Sequence, residues 1–319
     1  MSSEMKVLIT GASGLLGTAL VDHLADDFEV VGVSRKPGFC PKHVSWVLAD
    51  LLDLSETSKL LQRIQPQAVI HCAALVNVDL CEKDGYVADQ LHRRTTEVIV
   101  KTLGKWNGRL IYISTDSVFN GRKDDPYTEK DLPDPPNSYA RTKLGGELAA
   151  LSYSESVVLR TNIFGWSRAE KLSFAEWVLK GLVLGIPLTM FTDVAYTPIH
   201  VSHLANIILQ VLQCISLKGV YHATGSQVLT KYDFAMTMAS LFNLENDHIK
   251  PISVDDLNLV ADRPKNMALL NQALASSLEC TIPGAQSGIE LMKYQYDTGW
   301  VSRIKNRPMK TGYQFWETL

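Results

Sequence analysis

Tyr139 and Lys143 stand four residues apart in the run Ser138-Tyr-Ala-Arg-Thr-Lys143, a spacing that puts both side chains on one face of a helix. An unperturbed tyrosine ionises near pH 10, about three units above neutrality. A nearby ammonium favours the phenolate and lowers that value, so the phenol can exchange a proton with a carbonyl or alcohol oxygen. Thr115 lies upstream in Ser114-Thr115-Asp116, where an apolar run ends, and offers a hydroxyl to orient such an oxygen. Asp116 could simply cap a turn, and its role stays open at this point.

A second constellation lies at the start of the chain. Gly11, Gly14 and Gly17 form GASGLLG directly after the apolar run Lys6 to Thr10 and just before a helical pattern from Leu15 to Leu24. The first glycine permits a tight turn, the second lets backbone approach a pyrophosphate, and the third lets helix pack on strand. The helix N-terminus then presents free N–H groups to phosphate oxygens. Ser13, Leu15 and Leu16 complete this expected dinucleotide cradle. The second strand, Glu29 to Val33, runs into Ser34, Arg35 and Lys36. No carboxylate sits there to take a ribose 2′-hydroxyl, whereas a guanidinium fork suits a 2′-phosphate. The turn therefore selects NADP over NAD, the alternative being a solvated basic turn. At the end of the fourth strand, His71-Cys72-Ala73-Ala74 would let a cofactor lie against backbone. His71 itself reads as a structural, hydrogen-bonded group. Lys143 could also hold the nicotinamide ribose.

These residues need a scaffold, and the pattern between them supplies one. Strand-like runs cover Lys6 to Thr10, Glu29 to Val33, Val44 to Leu48, Ala68 to Cys72, Arg109 to Ser114 and Ser156 to Thr161. Helical patterns alternate with them: Ser55 to Ile64 with Ser55 as cap, Tyr86 to Trp106, and Ser138 to Leu151. Such alternation predicts an α/β fold, a doubly wound parallel (Rossmann) sheet covered on both faces and complete with six strands. Beyond about residue 165 the pattern loosens. We expect a dinucleotide-binding domain over 1–165 and a smaller C-terminal substrate lobe over 166–319, with some crossings back to the sheet.

Composition narrows the function further. The 319 residues are 46% apolar and 20% charged, with 31 Lys plus Arg against 34 Asp plus Glu. A net charge of -3 leaves no broad basic face, so nucleic acid is not an expected partner. Five scattered cysteines without CxxC spacing fit free thiols in a reducing compartment rather than disulfides or zinc. The N-terminus lacks the apolar region of a secretory signal. The most apolar stretch, Val178 to Leu188, is broken by Lys180, Gly181, Gly185 and Pro187, so no membrane span is expected. The reading is a cytoplasmic protein.

The GxxGxxG loop, with Thr115, Tyr139 and Lys143 following in order, resembles the extended short-chain dehydrogenases/reductases. Within that superfamily, Tyr112 to Gly121 (YISTDSVFNG), Pro135 to Glu147 (PPNSYARTKLGGE), Phe191 to Ala205 and Ala261 to Asn271 (ADRPKNMALLN) are similar to dTDP-4-dehydrorhamnose reductases. The likeness runs over nearly the whole chain. It implies a nucleotide-sugar substrate whose keto group is reduced. It implies Asp50, with Leu51, at the adenine, Asn162 at substrate phosphate or sugar, and Arg263 of the Arg-Pro motif at the substrate pyrophosphate. Departures are Ser117 and Ile163, where the family usually carries tyrosine and often tryptophan. Thr18 stands where some members have a glutamate for a magnesium-linked dimer, so no metal is expected.

Two rivals share the fold. A nucleotide-sugar epimerase or dehydratase is weakened by Ser117, since a dehydratase would want glutamate after Asp116. The regulatory subunit of methionine adenosyltransferase, which is similar in the same segments, would bind NADP without a reductase role. The C-terminal aromatics Tyr294, Tyr296, Trp300, Tyr313, Phe315 and Trp316 are expected to pack on their own domain, with a homodimer surface as the alternative.

Overall fold

The computed structural model describes residues 5–168, 171–256 and 264–306. Its first half reads β1 (Lys6–Thr10), α1 (Leu15–Leu24), β2 (Glu29–Ser34), β3 (Ser45–Leu48), α2 (Leu54–Ile64), β4 (Ala68–His71), α3 (Val78–Lys83), α4 (Gly85–Asp89), a π-helical turn Gln90–Arg94, α5 (Thr95–Leu103), β5 (Arg109–Thr115), α6 (Ser138–Leu151) and β6 (Ser156–Thr161). The second half adds β7 (Ile163–Phe164), α7 (Phe174–Leu184), β8 (Leu188–Phe191), β9 (Ala195–Tyr196), β10 (Ile199–His200), α8 (Val201–Gln213), β11 (Gly219–His222), β12 (Leu229–Thr230), α9 (Lys231–Phe242), β13 (Ile249–Ile252), β14 (Asn266–Met267), α10 (Gln272–Ser277), α11 (Ala285–Asp297) and α12 (Trp300–Lys305).

The central sheet has seven strands in the order β11-β6-β5-β4-β1-β2-β3, all parallel. Alternate residues of each strand face opposite sides. Val7 and Ile9 of β1 join Leu16, Leu20 and Leu24 of α1 and Leu204, Ile208 and Val211 of α8. Leu8 points the other way, among Val31, Leu61, Leu103, Leu110 and Tyr112. Both faces are thus covered, which is why these strands are continuous apolar runs. A second core gathers Phe164, Trp166, Leu179, Tyr196, Phe234, Met238 and Ile289.

Three expectations change. The sheet is not complete at six strands: Gly219–His222 pairs with β6 as an edge strand, supplied by the predicted return crossing. Only its last residue is buried, and a four-residue edge strand carries no strong apolar signature. α2 is capped by Asp53, whose carboxylate accepts from the Glu56 N–H at 2.9 Å, so Ser55 lies inside the first turn rather than at the cap. The helical stretch from Tyr86 is broken into α4, the π turn and α5. Of the C-terminal aromatics, Tyr296 stacks near Trp166 and Trp300 donates to Asp22 at 2.7 Å, both on the protein's own body. Tyr313, Phe315 and Trp316 lie outside the described residues. Among the described residues no helix is long and apolar enough to cross a membrane.

Helix α6 carries Tyr139 and Lys143 and is bolted to the sheet by one ion pair. Arg160 of β6 donates to Glu147 through Nη2 at 2.7 Å and through Nε at 3.0 Å. Ser114 of β5 donates to the same carboxylate at 2.5 Å. The two charged side chains are 5% and 1% exposed. Removing one partner of such a pair strands the other in a medium that cannot solvate it. Glu147→Ala should therefore cost about 3–5 kcal/mol in urea unfolding, with Glu147→Leu/Arg160→Met recovering most of it. A single variant within about 1 kcal/mol of wild type would mean that water reaches Arg160.

Candidate active site

The glycine loop follows the end of β1. Gly11 turns with φ +63°, and a Cβ there would lie 2.8 Å from the Ala73 nitrogen. A Cβ on Gly17 would collide with the Gly11 carbonyl. Gly14 stands at the N-cap of α1, whose first turn holds no acidic residue. The loop therefore has the shape of a backbone cradle, with N–H groups of a helix start aimed out of it. Ser13, Leu15 and Leu16 lie along it, Leu16 anchored in the core. The Thr10 hydroxyl pairs with His71 Nδ1 at 2.7 Å and accepts from the Ala73 N–H at 3.2 Å, locking the ends of β1 and β4 together. Burial holds His71 at about 3, as a neutral imidazole. It is a structural group, as the sequence suggests.

Around this cradle sit the remaining candidates. Ser34 is buried and donates to the Lys36 carbonyl at 2.5 Å, bending the chain so that Arg35 and Lys36 are exposed at the end of β2. The Ala12 N–H reaches the Val33 carbonyl at 3.2 Å, which places this basic turn beside the glycine loop. Asp50 is exposed after β3, its carboxylate accepting from the Leu52 N–H at 3.1 Å. Leu51 is buried, and its carbonyl accepts from Thr95 at 3.0 Å. Cys72, Ala73 and Ala74 continue β4 across the same edge, half-buried. Burial pushes the Cys72 thiol up to about 12, so it is no nucleophile.

Thr115 and Tyr139 come together where β5 meets the start of α6. Asn137 caps α6 by accepting from the Ala140 N–H at 2.9 Å, which fixes the turn that carries Tyr139. Thr115 Oγ1 donates to Asp116 at 3.0 Å and accepts from the Ser117 N–H at 3.1 Å. The other Asp116 oxygen accepts from Asn162 at 2.5 Å, and Ser117 Oγ donates to the carboxylate at 3.2 Å. Burial raises the Asp116 carboxyl above its ordinary value, against these donors and the charge of Lys231. Asn162 thus binds Asp116; its expected place at substrate phosphate or sugar remains a proposal.

The lysine behaves differently from the sequence expectation. Lys143 is 3% exposed and donates from Nζ to the Ile113 carbonyl at 2.6 Å, 4.2 Å from the centre of the Tyr112 ring. Burial brings it down to about 7, with the Glu147 charge opposing. Its ammonium is therefore committed to β5 and does not lower the neighbouring phenol. Burial instead raises Tyr139 well above its ordinary value, with its hydrogen bond to Thr115 pulling the other way. The phenol of Tyr139 is therefore held protonated.

Asp116, His92 and Lys231 were not assigned roles from sequence. Lys231, at the start of α9, lies 3.2 Å from the centre of the Tyr196 ring and 4.6 Å from that of Phe174. No motif marks it, because α9 is distant in sequence and only packing brings it to Asp116. Arg263 lies outside the described residues. Its neighbour Pro264 lies where a Cβ on Gly121 would strike it, below the segment that follows Thr115. Among the described residues no cluster of three or more His, Cys, Asp or Glu is arranged for a metal.

Comparisons with known proteins give the family and the fold. The family model described as the RmlD substrate binding domain matches residues 5–297. Methionine adenosyltransferase 2 subunit beta of Xenopus laevis is 34% identical over 273 residues, 83% of this chain and 80% of its own. The probable low-salt glycan biosynthesis reductase Agl14 of Haloferax volcanii is 29% identical, covering 91% of this chain and 97% of its own. The dTDP-4-dehydrorhamnose reductase of Bacillus anthracis, solved in complex with NADP, superposes with a TM-score of 0.81 at 25% identity, over 92% of this chain and 99% of that one. A hypothetical dTDP-4-dehydrorhamnose reductase from Sulfolobus tokodaii gives 0.79 at 29% identity, over 89% and 99%.

Burial also sets an acid limit on the protein. His71, His92, His200 and His222 are each at most 1% exposed. Burial holds them neutral, at about 3, about 2, well below 6.5, and about 4 respectively. Their unfolded values lie near 6.5, so the unfolded chain binds more protons just below that pH. Their stabilising contribution is present above pH 6.5 and is lost as pH falls toward 4. The slope of unfolding free energy against pH between 6 and 4.5 should drop by about 1.4 kcal/mol per unit in His222→Phe. An unchanged slope would show that His222 titrates freely in the folded chain.

Proposed function

The chain belongs to the RmlD substrate binding domain family, and from that premise we propose that it is an NADPH-dependent reductase of a 4-keto nucleotide sugar. The observation that carries this reading is the Thr115–Tyr139 pair, set across the sheet edge from the glycine cradle. The tight loop needs its glycines, as a dinucleotide cradle does: a Cβ at Gly11 would strike the Ala73 backbone and one at Gly17 the Gly11 carbonyl. The Bacillus anthracis relative with NADP supports the cofactor class. The exposed Arg35, at the end of β2, supports the 2′-phosphate and hence NADP over NAD.

Bound NADPH supplies a hydride to the sugar's carbonyl carbon. Gly11, Ser13, Gly14, Leu15, Leu16 and Gly17 would hold the pyrophosphate by backbone, Ser34 and Arg35 the 2′-phosphate, and Asp50 and Leu51 the adenine. Cys72, Ala73 and Ala74 would form the floor. The Tyr139 phenol, kept protonated by burial, gives its proton to the carbonyl oxygen as the alcohol forms. As phenolate develops, the Thr115 hydroxyl can turn from Asp116 and donate to it. Lys143, one turn further along the same helix, would hold the nicotinamide ribose, and the phenolate would regain its proton from solvent after turnover. Asn162 and Asp116 face the sugar together, and Arg263 takes the substrate pyrophosphate. The lobe over 166–319 closes the sugar against the domain over 1–165.

A second reading has its own support in the 34% identity to methionine adenosyltransferase 2 subunit beta. In that case the chain binds NADP as a regulatory subunit and reduces nothing. NADPH absorbance with a panel of 4-keto nucleotide sugars separates the two. Under the reductase reading Tyr139→Phe binds NADPH normally and loses turnover by about 100-fold or more, and Arg35→Ala weakens NADPH while sparing NADH. Turnover retained in Tyr139→Phe removes that residue from the proton role. No wild-type turnover on any sugar, with tight NADPH binding and co-purification with an adenosyltransferase, replaces the reductase by the regulatory subunit.

A further inference from the structure

His92 is fully buried in the π-helical turn between α4 and α5. Its Nε2 accepts from the Leu75 N–H at 2.9 Å. The ring proton must then sit on Nδ1, which lies 2.8 Å from the Thr142 hydroxyl. Thr142 in turn donates to the carbonyls of Ser138 and Tyr139, at 2.9 and 3.0 Å. The imidazole also stands edge-on to the Tyr139 ring, with centroids 5.9 Å apart at 84°. Each contact has a direction, so the chain of donors runs one way, from Leu75 through His92 to the first turn of α6.

Two features hold the ring in this place. The π turn bulges the backbone toward α6, and such turns recur where a helix serves a site. Gly146 lets it come close: a Cβ there would strike the His92 carbonyl and the Tyr112 hydroxyl. Burial, with the Lys143 charge nearby, holds the imidazole neutral at about 2, so its single proton stays on Nδ1 across the working pH range.

We propose that His92 is a positioning residue that ties the Ala73–Leu75 segment to the first turn of α6 and so sets the Tyr139 phenol against the cofactor lying on that segment. The proposal rests on the reductase reading for the cofactor's place. His92 touches neither reacting atom. It fixes the distance between two elements that are brought together from 17 residues apart on one side and 50 on the other.

His92→Phe keeps an aromatic ring and the edge contact, at a slightly larger volume, but deletes both hydrogen bonds. It should raise the NADPH dissociation constant about fivefold and lower kcat about tenfold with the sugar KM within about twofold. His92→Gln, whose amide can accept from Leu75 and donate to Thr142, should bring both back to within about threefold of wild type. NADPH affinity and kcat both unchanged in His92→Phe overturn the proposal, because packing alone would then suffice. So does a loss that His92→Gln does not recover. If the wild type turns over no sugar, the reductase reading fails by itself, and NADPH affinity in the two variants still decides the link. If His92→Phe does not fold, Thr142→Val cuts the other end, and an unchanged kcat there overturns the proposal.

Discussion

Everything at the site depends on how α6 is held to the sheet. The helix has almost no apolar stripe, and its buried residues include Lys143, Gly146 and Glu147. Hydrophobic burial alone would not fix such a helix in rotation or in register. The Ser114–Glu147–Arg160 cluster does so, by joining the third turn of α6 to β5 and β6 through directional bonds. A buried ion pair of this kind is a costly way to gain stability, since desolvation offsets most of the attraction. Its worth lies in geometry: a rotation of α6 by one residue would leave Arg160 unpaired. Tyr139, two turns away on the same helix, inherits that precision.

The same cluster shapes the charge of the site. Lys143 lies one turn from Glu147 and is buried against the Ile113 carbonyl and the Tyr112 ring. Burial disfavours its charge, and Glu147 restores part of it. The imidazoles around it, His71 and His92, are kept neutral partly by Lys143 itself. Lys143 is therefore a cation of adjustable charge, among groups that do not compete with it for protons. On the far side, Asp116 is surrounded by donors from Thr115, Ser117 and Asn162. Its charge is spread over these hydrogen bonds, and the nearby Lys231 charge also favours it. The phenol of Tyr139 lies between these two regions.

How much of this was legible in the sequence follows from what each feature depends on. β1, α1, α6 and β6 have the bounds read from the sequence: apolar runs settle the strands and α1, and for α6 the Asn137 cap and the loop before Ser156 do so. The glycine loop was legible because backbone approach demands glycine at fixed spacing. β11 was not, since its pairing with β6 is a long-range event and its four residues carry little burial. The Asp53 cap was missed by two residues because Asp and Ser compete for the same role in one short segment. The phenol's ionisation was misjudged for a physical reason: spacing in a helix puts two side chains on one face but does not say where a long lysine turns. His92 reads as an unremarkable residue of a helical run, and only the π turn, which the sequence does not announce, swings it onto Thr142.

The second half of the chain also fixes loops beside the candidate site. Tyr127, in the long connection between β5 and α6, bonds the Ala268 and Leu270 backbone at 2.8 Å each. The side chain of Asn266 reaches the carbonyls of Lys123, Asp124 and Asp125. Arg168 joins the Pro37 carbonyl, after β2, to the Ile304 carbonyl of α12. Each of these ties lies at an end of the candidate site: the first two beneath the segment that follows Thr115, the last beside the basic turn at Arg35. Segments far apart in sequence therefore fix both the loop that follows Thr115 and the loop that follows Arg35. A break in either tie would loosen one end of the site while leaving the sheet, which has its own core, intact. The division of labour is thus one of rigidity: the parallel sheet sets the positions of the cradle and of Tyr139, and the later elements set the two loops that flank the candidate site.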